Sequence, residues 1–167
     1  KKKKLRNQSS AEWYYEQIEL GFNYRMNDIQ AALGIEQLKR IDKFVLKRNI
    51  LAKRYNRLLK NIAVKTPQLF SNILSSFHLY VINLNEKFDK KQHMKLFKLM
   101  RKKGIGVNLH YIPVHTHPYY LKMGFKKGDF PNSEKFYEKA ISLPLYPNLK
   151  KKDQDFIINI LRKNVRQ

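Results

Sequence analysis

Residues 19–42 read ELGFNYRMNDIQAALGIEQLKRID, and they contain the clearest helix start in the chain. Asn27 can accept a hydrogen bond from the first helical turn, and Gln30 follows three residues later, which is the spacing of a capping box. Beyond this cap, apolar residues recur at helical intervals: Ala31, Ile35, Leu38 and Ile41. We therefore predict a helix that begins at Asn27, followed by a longer helix from about Asp42 to Lys60.

Outward from these helices, the rest of the chain alternates between short extended segments and helices. Residues 77–84, FHLYVINL, are rich in β-branched and aromatic residues and predict a strand. The further predicted elements are a helix capped by Asp89 that ends at Gly104, a strand over 105–111, an irregular loop around Pro113 and Pro118, a helix over 133–141, an extended piece over 142–146 and a helix over 151–164. This order predicts an α/β or α+β fold in which helices pack on a small sheet.

The composition excludes several classes of protein. With 35 Lys+Arg against 13 Asp+Glu, the 167 residues carry a net charge of +22, which suggests a nucleic-acid partner. The lysines are nevertheless spread along the whole chain, and the sequence has no helix-turn-helix, zinc-finger or RNA-recognition motif, so we expect no nucleic-acid function. There is no cysteine, no apolar run that could span a membrane and no signal peptide, so we expect a soluble cytoplasmic protein. Because the chain begins with Lys1, we expect it to be part of a longer protein.

Three histidines cluster in sequence at His110, His115 and His117. A metal site needs further ligands, and the nearest acid after the cluster is Asp129, so we predict no metal. His110 has two readings that remain equally open: a strand histidine whose ring is hydrogen-bonded within the protein, or a ligand contact on the polar face that it shares with Asn108. There is also no glycine-rich phosphate loop and no nucleophile elbow, so the residues alone indicate no activity.

A family resemblance supplies what these patterns do not. Residues 19–42 resemble the segment that follows the cofactor domain in the DegT/DnrJ/StrS family of sugar-nucleotide aminotransferases. The similarity continues through SFHLYVINL, KKGIGVNLHYIPVHTHPYY and GDFPNSEKFYEKAISLPLYPNL. Within the family, HYIPVHTHPYY followed by GDFP is most similar to the subgroup that acts in pseudaminic-acid biosynthesis, where a UDP-linked 4-keto-6-deoxy sugar becomes a 4-amino sugar.

The resemblance implies a fold type I enzyme that uses pyridoxal 5′-phosphate (PLP), works as a homodimer and takes its amino group from glutamate. It assigns residues 1–26 to a connecting segment that follows an N-terminal PLP domain, and residues 27–167 to the C-terminal aminotransferase domain. The lysine that binds the cofactor belongs to the N-terminal domain, so we expect residues 1–167 to be inactive alone. Two rivals remain: a PLP-dependent sugar dehydratase, in which histidine replaces that lysine, and a stand-alone basic module that binds nucleic acid.

The resemblance also implies roles for residues near the start of the chain. Asn23 matches an asparagine that reaches across the dimer to the PLP phosphate of the other subunit, whereas its structural alternative is to cap a turn. Tyr24 matches a position near the substrate, and its alternative is a core aromatic residue. Arg25 either binds the cofactor phosphate or pairs with Asp28.

A second group of implied site residues lies near the middle of the chain. His110, Tyr111, Ile112 and Pro113 match the segment that lines the nucleotide-sugar pocket of the family, and His115 is expected nearby. Ile112 and Pro113 fit a packing role equally well. We therefore predict two sets of site residues: Asn23 and Arg25 for the cofactor, and Tyr24 with the 110–115 segment for the substrate.

Overall fold

The structure is a computed structural model that describes residues 19–165. Two compact units divide the chain between Leu38 and Lys39. Residues 1–18, which form most of the predicted connecting segment, lie outside the described residues. The assignment of 1–26 and 27–167 to parts of an enzyme stays a prediction.

The first unit contains helix α1, Asp28–Leu38. Its start is as predicted, because the Gln30 N–H donates to Asn27 Oδ1 at 2.9 Å and the Asn27 N–H donates to Gln30 Oε1 at 3.2 Å. These two bonds satisfy backbone donors that the first turn of a helix cannot satisfy by itself. None of the residues of α1 is buried in the described part of the chain.

The second unit combines helices with an antiparallel sheet. Its elements are α2 (Ile41–Leu59), β1 (Val64–Lys65), β2 (Tyr80–Leu84), α3 (Lys90–Lys102), α4 (Pro118–Leu121), α5 (Pro131–Lys139), β3 (Ala140–Leu143) and α6 (Lys151–Asn164). The strand order is β1-β2-β3, and Ile82 of the central strand pairs with Ile141. The predicted small sheet with helices is therefore confirmed. None of the described helices combines the length and apolar character that crossing a membrane requires.

The core of this unit contains a few polar side chains, each with a partner. The rings of Tyr55 and Tyr80 are fully buried, with centroids 4.9 Å apart, and Tyr55 donates its hydroxyl hydrogen to the Pro144 carbonyl at 3.1 Å. Gln154 of α6 is also fully buried, and its amide nitrogen donates to the Leu51 carbonyl of α2 at 3.1 Å. Burying a polar group is costly unless it is hydrogen-bonded, so these bonds fix how the helices and the sheet pack.

Local signals located the ends of α3 correctly. Asp89 and Gln92 form a capping box, with the Gln92 N–H donating to the Asp89 carboxylate at 2.7 Å. The helix ends before Gly104, which adopts φ +77, a conformation that costs glycine little and other residues more.

Two predicted elements differ from the structure. Residues 105–111 keep the predicted alternation of burial at first, with Ile105 and Val107 buried, but among the described residues they pair with a strand only through the bridge between Asn108 and Ser142. The ladder does not extend further because the next rung would use Ala140, whose N–H donates to the Phe136 carbonyl and whose carbonyl accepts from the His93 ring at 2.9 Å. The helix predicted over 133–141 ends at Lys139, because residues 140–143 pair with β2 instead. The extended piece predicted over 142–146 is therefore β3, which starts two residues earlier.

We expect Tyr55→Phe to change how stability depends on alkaline pH. Burial raises the pKa of Tyr55 above its ordinary value. Above about pH 10 the unfolded chain loses the tyrosine proton first, so each such residue lowers the free energy of unfolding by about 1.4 kcal/mol per pH unit. The variant should lose about 1 kcal/mol near neutral pH, where its hydrogen bond is missing, but should lose stability less steeply above about pH 10.

Urea unfolding at a series of pH values measures both effects. Tyr119→Phe, at an exposed tyrosine, controls for the substitution itself. An unchanged alkaline slope in Tyr55→Phe would contradict the expectation.

Candidate functional site

Asn23 and Arg25 lie together in the first unit. The Arg25 Nε–H donates to the Asn23 side-chain oxygen at 2.9 Å. Asn23 adopts φ +56, in the left-handed region that asparagine tolerates better than most residues. Arg25 therefore pairs with Asn23 rather than with Asp28, and the Asn23 side chain bonds another side chain rather than capping a turn.

This arrangement concentrates hydrogen-bond donors in one place. The Asn23 oxygen is occupied by Arg25, so the amide nitrogen of Asn23 and the remaining guanidinium nitrogens of Arg25 are the groups left to bind a ligand. Amide and guanidinium N–H groups are donors without acceptor capacity, and a guanidinium also carries a positive charge. Together with Tyr24, Met26 and Gln30 these two residues line a wide, open concavity. Its chemistry suits an anion such as a phosphate.

Tyr24 is not a core residue. It is 90% exposed, and its ring stacks on that of Phe22 with centroids 5.5 Å apart. The structural alternative that the sequence allowed for Tyr24, a buried aromatic residue, therefore does not describe it.

Both ring nitrogens of His110 bond to the protein. The Asn108 amide orientation follows from the Leu109 N–H, which donates to Asn108 Oδ1, so the Asn108 Nδ2 group is a donor toward His110 Nε2 at 3.3 Å. His110 Nε2 must then accept, and Nδ1 carries the hydrogen that bonds to the Ser142 hydroxyl at 2.8 Å. Of the two readings of His110, this geometry matches the hydrogen-bonded ring.

The two residues after His110 present their side chains to solvent. Tyr111 is 70% exposed and Ile112 is 47% exposed, and the Tyr111 ring meets the His110 ring edge-on at 4.6 Å. Pro113 and His115 are buried. The five predicted site residues between 110 and 115 thus lie on one loop, with Tyr111 and Ile112 exposed, His110 half-buried, and Pro113 and His115 buried. Their substrate roles stay predictions.

A contact between His115 and Glu134 links this loop to α5. His115 Nε2 lies 2.8 Å from the Glu134 carboxylate, and the side chains of His115 and Glu134 are only 7% and 14% exposed. The same oxygen of Glu134 accepts the Gly128 N–H at 2.6 Å. The Gly128 bond first and the His115 bond second hold the pKa of Glu134 below its ordinary value. The His115 ring also packs on Phe130, with centroids 4.8 Å apart.

A cavity of about 340 Å³ lies between this loop and helices α3 and α5. Leu109, Pro113 and Thr116 line it from the loop, and Glu134 lines it from α5. His93, to which the sequence assigned no role, also lines the cavity, and its ring nitrogen bonds the Ala140 carbonyl at 2.9 Å. Within the described residues, no group of three His, Cys, Asp or Glu side chains is placed to hold a metal ion.

Sequence reasoning missed Glu134 and Ser142, the partners of His115 and His110. Glu134 is 19 positions from His115, and Ser142 is 32 positions from His110. One signal was present, because Glu134 stands in the first turn of a helix that begins at Pro131, where an acidic residue is favoured. Nothing in the sequence indicated which histidine it would bind.

Comparisons with known proteins agree with this architecture. An uncharacterised protein of Methanocaldococcus jannaschii is 41% identical over 162 residues, which are 96% of this chain and 42% of that protein. The UDP-4-amino-4,6-dideoxy-N-acetyl-β-L-altrosamine transaminase of Campylobacter jejuni is 35% identical over 150 residues, 89% of this chain and 39% of that enzyme. The chain thus spans about two fifths of the length of these relatives.

Solved structures show the same fold. The Helicobacter pylori aminotransferase PseC, which is involved in the biosynthesis of pseudoaminic acid, matches with a TM-score of 0.81 and 30% identity over 95% of this chain and 42% of its own. A Streptococcus pneumoniae protein described as a sugar aminotransferase, solved in its PLP form, matches with a TM-score of 0.83 and 27% identity over 91% of this chain and 39% of its own. The predicted fold class, an α/β arrangement like that of the matching part of sugar aminotransferases, is confirmed. Residues 1–162 match the model of the DegT/DnrJ/EryC1/StrS aminotransferase family, and the chain belongs to that family.

Proposed function

We propose that this chain is part of a PLP-dependent enzyme that converts a UDP-linked 4-keto-6-deoxy sugar to the 4-amino sugar, in the synthesis of pseudaminic acid or a related surface glycan. The observation that carries the proposal is the likeness of 89% of the chain to the Campylobacter jejuni transaminase. The proposed amino donor is glutamate. The absence of cysteine fits the reducing compartment that we propose for it, the cytoplasm.

The donor set of Asn23 and Arg25 fits the phosphate group of PLP. The charge of Arg25 attracts the phosphate, and the Asn23 amide nitrogen adds a directional hydrogen bond. The bond between the two side chains holds them in a fixed relation, so less conformational entropy is lost when an anion binds. When bound, PLP supplies an electron sink for the transfer of the amino group. In this proposal Asn23 and Arg25 bind and orient the cofactor and take no part in proton transfer.

A second subunit fits the exposed surface of the first unit. The large apolar side chains that are most exposed there are Leu20, Phe22, Tyr24, Met26, Ile29, Leu33 and Leu38. A monomeric soluble protein rarely leaves so many apolar side chains together in water. We propose that this surface is covered in a homodimer, and that Asn23 then meets the cofactor of the other subunit.

The loop of the second unit fits a sugar nucleotide. Tyr111 offers an aromatic face and a hydroxyl group, and Ile112 an apolar contact, on a backbone that Pro113 stiffens. His110 acts through its hydrogen bond to the Ser142 hydroxyl, which holds the start of this segment against β3, while Asn108 orients the His110 ring. The net charge of +22 favours anionic ligands in general, and both PLP and a UDP-sugar are anionic.

The direct test is an assay of the longer protein that we propose contains this chain. With PLP, glutamate and a UDP-linked 4-keto-6-deoxy sugar, we expect a UDP-linked 4-amino sugar, detected by mass spectrometry. Residues 1–167 alone should form no such product, because none of their lysines lies in a segment that resembles the family's cofactor-lysine motif. Loss of the sugar hydroxyl group without gain of nitrogen would identify a dehydratase instead, and tight binding to nucleic acid with neither product would favour the basic module.

We expect Asn23→Ala in the longer protein to weaken PLP binding by roughly ten- to a hundredfold, because a hydrogen bond to a charged group contributes on the order of 1.5–3 kcal/mol. Titration of the cofactor-free protein with PLP, followed by absorbance, measures the change. Asn27→Ala is the matched control, since it removes a nearby exposed asparagine that caps α1. It should lower stability by about 1 kcal/mol and leave PLP affinity unchanged. Reduced stability with normal PLP affinity in Asn23→Ala would assign Asn23 a structural role instead.

A further inference from the structure

We propose that Glu134 is a positioning residue for the sugar-nucleotide loop, holding the downstream end of the segment that presents Tyr111 and Ile112. This inference rests on the proposed function, because it takes that segment to be the one that meets the UDP-sugar. Glu134 itself touches neither substrate nor cofactor in this account. It acts through His115.

The upstream end of the segment is fixed by β3. Asn108 exchanges backbone hydrogen bonds with Ser142, at 2.8 and 3.2 Å, and His110 bonds the Ser142 hydroxyl. The downstream end has no such strand partner among the described residues. Tyr111 and Ile112 therefore lie between one end that the sheet anchors and another that needs a separate anchor.

Glu134 supplies that second anchor through a chain of short contacts. Its carboxylate holds His115, which lies in a tight turn over Val114–Thr116. In that turn both the N–H and the hydroxyl of Thr116 donate to the Pro113 carbonyl, at 2.9 and 2.7 Å. Because the proline ring fixes its own φ and restricts the residue before it, a fixed Pro113 limits the conformations of Ile112.

Packing of the His115 ring on Phe130, with centroids 4.8 Å apart, adds to this anchor but does not reach α5 itself. The cavity of about 340 Å³ lies beneath Leu109, Pro113 and Thr116, so the underside of the loop lacks the dense contacts of a packed core. The polar contact of His115 with Glu134 ties this end of the loop to α5. The same oxygen binds the Gly128 N–H, so Glu134 also ties the loop to the segment that precedes α5.

The test compares variants of the longer enzyme by steady-state kinetics. Glu134→Ala should raise the KM for the UDP-sugar about tenfold, because binding must then also order the loop. The KM for glutamate and the affinity for PLP should not change. Glu134→Gln should recover most of the affinity, since its side-chain oxygen can still accept from His115 and from Gly128. Glu138→Ala removes a carboxylate that lines the same cavity but makes no described contact with His115, and it should behave as wild type.

Glu134→Asp is a fourth variant, which tests the same role if Glu134→Ala does not fold. Glu134→Asp keeps the charge at the start of α5 but is one methylene shorter, so it cannot hold His115 and Gly128 as Glu134 does. It should also raise the KM for the UDP-sugar. A wild-type KM for the UDP-sugar in Glu134→Ala or Glu134→Asp would overturn the positioning role, as would an equal rise in Glu138→Ala. A wild-type enzyme that does not use the UDP-sugar would instead refute the proposed function.

Discussion

The backbone of β3 is the constraint on which the second unit depends. All four of its residues, Ala140–Leu143, are buried, so each polar backbone group there needs a partner inside the protein. β2 pairs along one edge, Asn108 bonds Ser142 along the other, and the His93 ring bonds the Ala140 carbonyl. These bonds bring α3, the sheet and the start of the 108–112 segment to one place. The candidate substrate loop begins at Asn108 because the outer edge of β3 presents the N–H and the carbonyl of Ser142 for pairing with it.

Elements set by local chemistry could be predicted from the sequence. The capping boxes at Asn27 and Asp89 and the glycine that follows α3 depend on residues within four positions of each other. The end of α5 could not be predicted in this way. Residues 140–143 are compatible with a helix, and only their pairing with β2, about 60 positions earlier in the chain, makes them a strand.

In the candidate site, too, contacts between residues close in sequence could be predicted and contacts between distant residues could not. The donor character of Asn23 and Arg25 belongs to the side chains, and two residues of separation suffice for their contact, so the family resemblance could indicate them. The support of the loop could not be foreseen, because Ser142 and Glu134 reach their histidines only after the chain has folded. The nearest acid in sequence to the histidine cluster was Asp129, yet its carboxylate bonds the Lys126 N–H and it is Glu134 that holds His115. The folded structure, and not distance along the sequence, decides which carboxylate reaches His115.

We propose above all that Asn23 serves the cofactor of a neighbouring subunit. Complementation in mixed dimers tests it most directly, with one subunit that carries Asn23→Ala and a partner that lacks only the cofactor lysine. The one site with a lysine then receives an intact Asn23 from its partner, so we predict normal PLP affinity and restored transaminase activity at that site. A mixed dimer that binds PLP as weakly as the Asn23→Ala homodimer would contradict it.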